Sequence, residues 1–528
     1  MDNNKVIIQI NQLLHNKGVK QEKRFDQLIT LFEKNKTGTP DPEYEDILEL
    51  IRVIDYSNKD LTQELFMLFG SKLTKYKLDQ FYTPLTISQF ICKMMLPGKT
   101  AIDPAGGTGD LLLFYNGKKT IWDIDPSALQ LCRFNYELNQ LSDYEVACKN
   151  SLTDFDSSSG SFDYVTMNPP FGSSTTITDT TILGKFELGV GKKKQEIGIL
   201  FIELGLKLLK PNGILFVIVP AGYAGNSNKQ CTELRSLLLR NRLIASIELP
   251  KSTFKRSGTG VNTYLFIIQK QETVAPYPIF ITSVENIGYN LTKSNTPIKN
   301  KIIRETGELI LVDGKPVLEN DLADISYKRV FEPQSNESVM SNTLTTTILD
   351  VKRYLKEYID LMFQLRISGA VKITSLAKIM TGVTKIDSRK KYKYIDIGEI
   401  SSPLYSSKDL YGWELPSRAK YTLKKYDILV SKLDGTMSYC VILDDAINYI
   451  STNGVAVLRP NSQDALYILF TAIIKPSFSI QHNAYLTGSI MASLGDKDIG
   501  EMLVETNVDK EKTKKMLDTL EELILLRI

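Results

Sequence analysis

The chain has 528 residues, which exceeds the usual length of one domain and predicts two or three. Its hydrophobic fraction of 42% and charged fraction of 24% are ordinary for a globular protein, and a net charge of +3 argues against wholesale polyanion binding. No stretch approaches the roughly 20 apolar residues of a membrane span, and Met1 to Lys5 lack the apolar core of a secretory signal. We therefore expect a cytoplasmic protein with reduced thiols.

Helical periodicity marks the first 75 residues. Apolar residues recur at helical spacing in three stretches, which begin at Val6, Phe25 and Ile47. A proline-rich break from Thr39 to Pro42 separates the second stretch from the third. The apolar stripes are predicted to be the packing faces of a helical region.

A glycine-rich turn follows a short predicted strand. The run from Asp103 to Asp110, DPAGGTGD, leads into the start of a predicted helix. Its glycines let a cofactor approach the backbone closely, although the turn has neither the dinucleotide G-x-G-x-x-G pattern nor a Walker lysine. Asp103 suits a cationic or amino-bearing ligand better than a pyrophosphate. The next predicted strand reaches Asp123, at a position where an acid typically binds ribose hydroxyls.

The tetrapeptide Asn168-Pro169-Pro170-Phe171 ends a later apolar strand and can hold a planar amino group. The Asn168 side-chain carbonyl and the Pro169 backbone carbonyl can both accept hydrogen bonds from one NH2 group, while proline donates none. The Phe171 ring offers a stacking face for the heteroaromatic ring that carries the amine. Taken alone, the tetrapeptide also fits an ordinary Pro-Pro turn after a buried strand.

The pattern changes after a polar linker near residues 332–345. A helix is predicted over the apolar positions from Ile348 to Phe363, followed by short strands with glycine turns. A last amphipathic helix is predicted from Glu511 to Leu526. Metal binding is not expected, because the chain has two histidines and its five cysteines form no C-x-x-C pair. The cysteines are predicted to be small buried hydrophobic residues.

In this order the motifs resemble S-adenosylmethionine-dependent N6-adenine DNA methyltransferases, and especially the modification subunits of type I restriction-modification systems. The matching segments are 80–84 (QFYTP), 103–112, 168–171, 208–220, 247–254 and 259–270. Asp123 stands where that family places its ribose-binding acid, although glutamate is more usual there. The likeness runs from about Lys75 to Lys270.

The resemblance implies methyl transfer to an adenine that has left the DNA duplex, without a metal. Its catalytic residues would be Asn168, Pro169, Pro170 and Phe171. The implied S-adenosylmethionine site consists of Gln80, Phe81, Tyr82, Thr83, Pro84, Asp103, Ala105, Gly107, Thr108, Gly109, Asp110 and Asp123. Phe254 is a candidate second stacking ring, although a core role fits it equally well. Asn150 or Asp154 is a candidate contact to the cofactor's adenine, or an ordinary residue of a surface loop.

A Ser/Thr/Gly-rich insertion between Gly172 and Lys194 follows the catalytic motif. We expect a mobile loop that closes over the flipped base and places Lys192, Lys193 and Lys194 on phosphates. The alternative is a solvated loop whose charges serve solubility.

The carboxyl-terminal part resembles one target-recognition domain of a type I specificity subunit. The matching segments are 373–384, 394–400, 425–431, 485–489 and 511–526. The resemblance implies double-stranded DNA as a partner, with Arg389, Lys390 and Lys391 among the DNA-binding residues; lysines at strand edges also serve to prevent aggregation. It also implies a homodimer, or association with restriction or specificity subunits, through the terminal helices, although these can equally pack within one chain.

The predicted fold class is α/β, a doubly wound Rossmann-like methyltransferase sheet with an N-terminal helical region and a C-terminal α+β target-recognition domain flanked by long helices. The predicted divisions are a helical region 1–75, a catalytic domain 76–275, an extension and linker 276–345, a linker helix 346–368, a recognition domain 369–506 and a packing helix 507–528. The predicted function is site-specific adenine-N6 DNA methylation in a restriction-modification or related system. Two alternatives remain: methylation of a protein glutamine or an RNA amino group, and a DNA-binding specificity subunit with lost catalysis.

Overall fold

The computed structural model describes residues 3–56, 61–62, 65, 83–170, 175–251, 253–254, 260–273, 275–288, 301–303, 305–312, 314–343, 348–435, 437–488 and 492–525. The chain folds into two compact units. The first consists of Met1–Tyr223 and Ser227–Thr347, and the second of Ala224–Asn226 and Ile348–Ile528. Among the described residues, no helix combines the length and apolarity that crossing a membrane requires.

The first unit alternates strands and helices after a helical leader. Its helices are α1 (Asn3–Asn16), α2 (Arg24–Thr37), α3 (Glu45–Arg52), α4 (Leu85–Lys93), α5 (Pro126–Leu138), α6 (Thr180–Leu183), α7 (Ile197–Leu208), α8 (Ala221–Gly225, which runs into the second unit), α9 (Lys229–Arg240) and α10 (Tyr327–Phe331). Its strands are β1 (Thr100–Asp103), β2 (Lys118–Asp123), β3 (Tyr144–Cys148), β4 (Phe162–Met167), β5 (Thr176–Ile177), β6 (Gln195–Glu196), β7 (Leu209–Pro220), β8 (Arg242–Glu248), β9 (Thr263–Gln269), β10 (Pro278–Ser283), β11 (Leu311–Val312), β12 (Lys315–Pro316) and β13 (Ser338–Met340).

One twisted sheet organises this unit. In the described part of the chain it has nine strands in the order β13-β10-β8-β9-β7-β4-β1-β2-β3. The strands from β3 to β7 pair in parallel, whereas β9 is antiparallel to both of its neighbours. Strand order reverses between β1 and β4, and in such sheets ligands bind beyond the carboxyl ends of the strands at the reversal. The predicted doubly wound α/β class is confirmed.

The helical leader forms a small core of its own. The apolar stripes of α1, α2 and α3 are buried together, and they pack against Leu131 and Phe134 of α5. Phe32 contacts Phe134 edge-on, with ring centroids 5.4 Å apart. The apolar periodicity of these three stretches therefore reflects packing against one another and against α5.

The second unit is built from short strands and helices. Its strands are β14 (Val371–Lys372), β15 (Ala377–Ile379), β16 (Lys391–Ile395), β17 (Ile400–Ser401), β18 (Leu404–Tyr405), β19 (Lys408–Tyr411), β20 (Ala419–Thr422), β21 (Ile428–Ser431), β22 (Tyr439–Val441), β23 (Tyr449–Thr452), β24 (Val455–Pro460) and β25 (Leu503–Val504). Its helices are α11 (Lys356–Ile367), α12 (Gln463–Ile473), α13 (Pro476–Tyr485), α14 (Asp496–Glu501) and α15 (Lys510–Leu525). Two four-stranded sheets, β15-β24-β21-β22 and β19-β16-β23-β20, form its framework.

The two long helices of this unit differ in what their apolar residues face. On α15, Leu517 and Ile524 are buried in the unit's core, whereas Met516 and Leu523 are 38% and 43% exposed. On and just before α11, Leu355, Ile359 and Phe363 are 46%, 45% and 65% exposed. The predicted helix also starts later than expected: the Asp350 carboxylate accepts a hydrogen bond from Lys352 N–H, which begins a 3-10 turn before α11.

A buried ion pair crosses the first four-stranded sheet of the second unit. Arg459 donates Nε–H to Asp427 Oδ1 at 2.8 Å and Nη2–H to Asp427 Oδ2 at 2.7 Å. The Asp427 side chain is fully buried, and its Oδ2 also accepts the Lys424 N–H at 2.8 Å. Such a carboxylate depends on its partner cation, because burying a lone charge is costly.

Replacing Arg459 with Met is therefore expected to destabilise the second unit by about 3 kcal/mol. Calorimetric unfolding of the full chain measures this as one transition moved to lower temperature. The matched control is Lys372→Met, which removes a half-exposed pair with Glu501 and is expected to cost less than about 1 kcal/mol. Equal unfolding curves for the two variants would contradict the assignment.

Candidate active site

A cavity of about 450 Å³ opens beyond the carboxyl ends of β1, β2 and β4. Its volume lies in the range of sites for small organic ligands. Its lining includes most of the described residues of the predicted site. They are Thr83, Asp103, Ala105, Gly107, Thr108, Asp110, Asp123, Asn168, Pro169 and Pro170.

Helix α5 holds the glycine turn in place. The buried Tyr136 hydroxyl donates a hydrogen bond to Gly109 O at 2.9 Å, and Asn135 Nδ2 donates to Thr108 O at 3.0 Å and to Asp110 Oδ1 at 3.1 Å. Gly109 has φ of +77°, and a Cβ there would lie 2.7 Å from Cys132 Sγ. Only glycine fits both the left-handed backbone and the close approach of α5. The expected helix after this turn is wrong: only a 3-10 turn, Asp110–Leu112, forms.

Four aspartates, Asp103, Asp110, Asp123 and Asp125, give the cavity an acidic wall. Burial raises the pKa of Asp103 well above its usual value; the Asp123 and Asp110 carboxylates raise it further, while the Ala105 N–H opposes the shift. Burial likewise raises the pKa of Asp123, against the stabilising N–H groups of Asp125 and Gly107. A cationic ligand, or one that donates hydrogen bonds, would stabilise the ionised forms of these acids.

Asp123 bridges the strand and the glycine turn. Its Oδ2 accepts the Gly107 N–H at 2.9 Å, and its Oδ1 accepts the Asp125 N–H at 2.9 Å. Each carboxylate oxygen can accept a second hydrogen bond, so both stay available to hydroxyl donors. Next to it, Ile124 lines the cavity although its side chain is 67% exposed, which leaves an apolar surface for a flat ring.

Asn168 lies directly after β4, at the edge of the same cavity. Its Nδ2 donates a hydrogen bond to Thr83 Oγ1 at 3.3 Å, and Thr83 is only 4% exposed. Pro169 is buried and Pro170 is exposed. The predicted residues Phe171, Gln80, Phe81 and Tyr82 lie outside the described residues, whereas Pro84 caps the start of α4.

The insertion after this motif is a packed substructure from residue 175 onward, which differs from the mobile loop expected. Strands β5 and β6 pair antiparallel, and Phe186 is buried against Phe155. Glu203 of α7 accepts the N–H groups of Glu187 and Leu188 at 2.7 and 2.9 Å. Ile177 and Ile182 of the insertion thereby reach the cavity and form an apolar wall.

Several other sequence predictions now have positions. Asn150 lines the cavity, and its backbone N–H donates to Asp154 Oδ2 at 3.2 Å, so Asp154 braces that loop. Phe254 is fully buried in the core of the first unit and is not among the cavity residues, which supports the core role and not the stacking role. Sequence reasoning missed Ser151, whose hydroxyl donates to Pro104 O at 2.5 Å. A lone serine in a loop carries no signal of such a contact.

The predicted DNA-binding lysines and arginine are divided between the two units. Lys192 is paired with Glu233 at 2.6 Å, while Lys193 and Lys194 are exposed in the first unit. In the second unit, Lys391 is paired with Asp409 at 3.0 Å, and Arg389 and Lys390 are exposed in the preceding turn.

No metal-binding cluster of three or more His, Cys, Asp or Glu residues occurs among the described residues. Four of the five cysteines are buried as expected, whereas Cys148 is exposed at the end of β3. Its thiol donates to Ile124 O at 3.6 Å.

The residues of the cavity fit S-adenosylmethionine. The acidic wall suits a ligand that carries a sulfonium and an ammonium charge, Asp123 suits ribose hydroxyls, and Ile124 suits a purine face. The glycine turn leaves the backbone open to the ligand. The glycine turn, Asp103 and Asp123 were expected from the motifs as parts of such a site.

Comparison with known proteins places residues 63–313 in the family model described as N-6 DNA Methylase. The rRNA N(6)-adenosine-methyltransferase metl-5 of Caenorhabditis elegans is 27% identical over 159 residues, which cover 28% of this chain and 66% of that protein. The Defense against restriction protein B of Escherichia phage P1 is 26% identical over 200 residues, which cover 37% of this chain and 8% of that protein. The matches thus span less than two thirds of either relative.

Among solved structures, the type I restriction-modification system methyltransferase subunit from Streptococcus thermophilus is similar. It is 16% identical, with a TM-score of 0.42, and the likeness covers 66% of this chain and 78% of that one.

Proposed function

We propose that this chain transfers a methyl group from S-adenosylmethionine to N6 of adenine in double-stranded DNA, because residues 63–313 match the N-6 DNA Methylase family model. The observation that carries the proposal is the single cavity shared by the glycine turn, Asp123, Asn168 and Pro169. A cofactor-binding wall and an amine-binding edge therefore meet in one space. A cytoplasmic location belongs to the same proposal.

The chain's own residues prepare the acceptor amine. Asn168 Oδ1 and the Pro169 carbonyl accept hydrogen bonds from the two N–H groups of the adenine amine. These bonds draw the amine's lone pair out of conjugation with the ring. Thr83 Oγ1 holds the Asn168 amide by accepting its Nδ2–H. S-adenosylmethionine, when bound, supplies an electrophilic methyl group on its sulfonium. The apolar residues Ile177 and Ile182 exclude water from the cavity's outer wall.

The second unit supplies target recognition in this proposal. A base must leave the duplex to reach the cavity, and this costs a few kcal/mol that binding elsewhere on the DNA can offset. We assign that binding to the second unit, on the ground of its exposed cations and the motif resemblance. Association of two chains, or of this chain with specificity or restriction subunits, is assigned to α11, whose apolar residues Ile359, Phe363 and Ile367 are exposed.

The test is methyl incorporation from tritiated S-adenosylmethionine by the purified full chain. Genomic DNA lacking adenine methylation, total RNA and a bacterial protein extract are offered separately. We expect label in DNA alone, recovered as N6-methyladenine after hydrolysis to nucleosides, and single-molecule sequencing then reads the methylated motif. Label in RNA or protein, with DNA blank, would overturn the proposal; the RNA arm addresses the rRNA-methylating relative directly.

A further inference from the structure

A rigid, exposed tryptophan next to a basic turn stands out on the second unit. Trp413 is 72% exposed, and Tyr411 beside it is 47% exposed. Tyr411 is the last residue of β19, where it pairs with Lys391, the first residue of β16, and Trp413 follows two positions later. The turn 387–390 precedes β16, so the two turns lie together at one end of this strand pair. We call the residues 387–390 and 411–414 the Trp413 ledge.

Backbone hydrogen bonds fix the ledge. Gly412 N–H donates to Lys390 O at 2.9 Å, and Trp413 N–H donates to Ser388 O at 3.2 Å. A Cβ on Gly412 would lie 2.1 Å from Asp387 O, so the two turns touch through the glycine. These contacts fix the turn that carries the exposed Trp413 ring. Covering a tryptophan side chain would remove about 200 Å² of its surface from water.

The charges of the ledge favour an anionic partner. Asp387 and Glu414 keep their charges, since each accepts only a backbone N–H, and Asp409 pairs with Lys391. The segments 385–393 and 408–414, which hold the strand pair and its turns, nevertheless carry six lysines and arginines against three acids. The Arg389 side chain is exposed in its turn. Lys390 is exposed as well and lies over the Tyr392 ring, 5.7 Å from its centroid.

We propose that the Trp413 ledge is a contact surface for double-stranded DNA, in which Trp413 wedges against or between bases while Arg389 and Lys390 bind the flanking phosphates. The proposal rests on the DNA methylation proposed above and adds the residues that engage the duplex. DNA offers anionic phosphates to Arg389 and Lys390 and flat aromatic base faces to Trp413. Apolar and aromatic side chains that insert at base steps unstack the duplex, and stacking on an exposed ring returns part of that cost.

Intrinsic fluorescence gives a direct test, because the chain has two tryptophans and the other, Trp122, is only 2% exposed in the first unit. Sheared genomic DNA lacking adenine methylation is added to the full chain without cofactor. We expect the Trp413 emission to be quenched, and the quenching to be absent in Trp413→Phe. An unchanged emission, or the same quenching in Trp413→Phe, overturns the ledge.

The methylation rate and the salt dependence of DNA affinity supply two further measurements. Trp413→Ala is expected to lower kcat/KM for methylation of this DNA about tenfold, while Trp413→Phe, which keeps a ring, stays within about threefold of the parent chain. Arg389→Ala is expected to reduce the dependence of log affinity on log salt by about one unit. The matched control is Lys497→Ala, at an exposed lysine outside the ledge, with no change in either quantity.

The outcomes separate the two proposals. DNA that is methylated at the parent rate by Trp413→Ala overturns the ledge and leaves the methyltransferase proposal standing. DNA that the parent chain neither binds nor methylates overturns both. Circular dichroism of each variant, unchanged from the parent, excludes misfolding as the cause of a lost rate.

Discussion

Replacing Asn168 with Ala is expected to lower methyl transfer to DNA about a thousandfold, while the affinity for S-adenosylmethionine stays within about threefold. The Asn168 carbonyl is one of two acceptors that hold the adenine amine, and its loss removes an interaction that matters most as the amine becomes a nucleophile. The cofactor side of the cavity is built from the glycine turn and Asp123, which this change does not touch. Single-turnover transfer and cofactor titration measure the two quantities separately.

The contrasting variant is Asp123→Ala, because Asp123 belongs to the part of the cavity that is proposed to bind the cofactor. Its carboxylate braces Gly107 and stands ready for ribose hydroxyls, so this change is expected to weaken cofactor binding at least about tenfold. A chain with Asn168→Ala that loses cofactor affinity as severely as Asp123→Ala would move Asn168 out of the amine-holding role.

The sequence was sufficient to predict the class of fold and the place of the cavity. The order of the glycine turn, Asp123 and Asn168 along the chain requires three neighbouring parallel strands, and their carboxyl ends meet at one edge of the sheet. The three helices of the leader were also predictable, since each carries a one-sided apolar stripe that is buried as the spacing indicated.

The predictions that failed concern segments whose structure depends on contacts between residues distant in the chain or on the length of a short connection. Only seven residues, 111–117, separate Asp110 from β2, too few for a full helix and a return loop. The insertion has the composition of a polar loop, yet Glu203 of α7, later in the chain, fixes its backbone by accepting the Glu187 N–H. Helices α12 and α13 were not predicted: α12 is buried almost all round, so its sequence lacks the polar face that marks a surface helix.

Thr83 is the residue whose role the structure changes most. The motif resemblance places it beside the cofactor, but its hydroxyl lies 3.3 Å from Asn168 Nδ2, within the catalytic motif. An amide has one acceptor end and one donor end, so an oxygen that accepts from Nδ2 leaves Oδ1 to face the substrate amine. Thr83 is thus expected to be a positioning residue that selects the productive orientation of the Asn168 amide.

Replacing Thr83 with Val keeps the shape of the side chain and removes this acceptor. We expect kcat to fall about thirtyfold, with little change in the KM for S-adenosylmethionine, because the amide then also populates the orientation that points Nδ2 at the amine. Thr83→Ser restores the hydroxyl and is expected to recover most of the rate. If Thr83 acts mainly on the cofactor, Thr83→Val instead raises that KM and leaves kcat near the parent value. In the double variant with Asn168→Ala, the Thr83→Val effect should disappear, since a positioning residue has nothing left to orient.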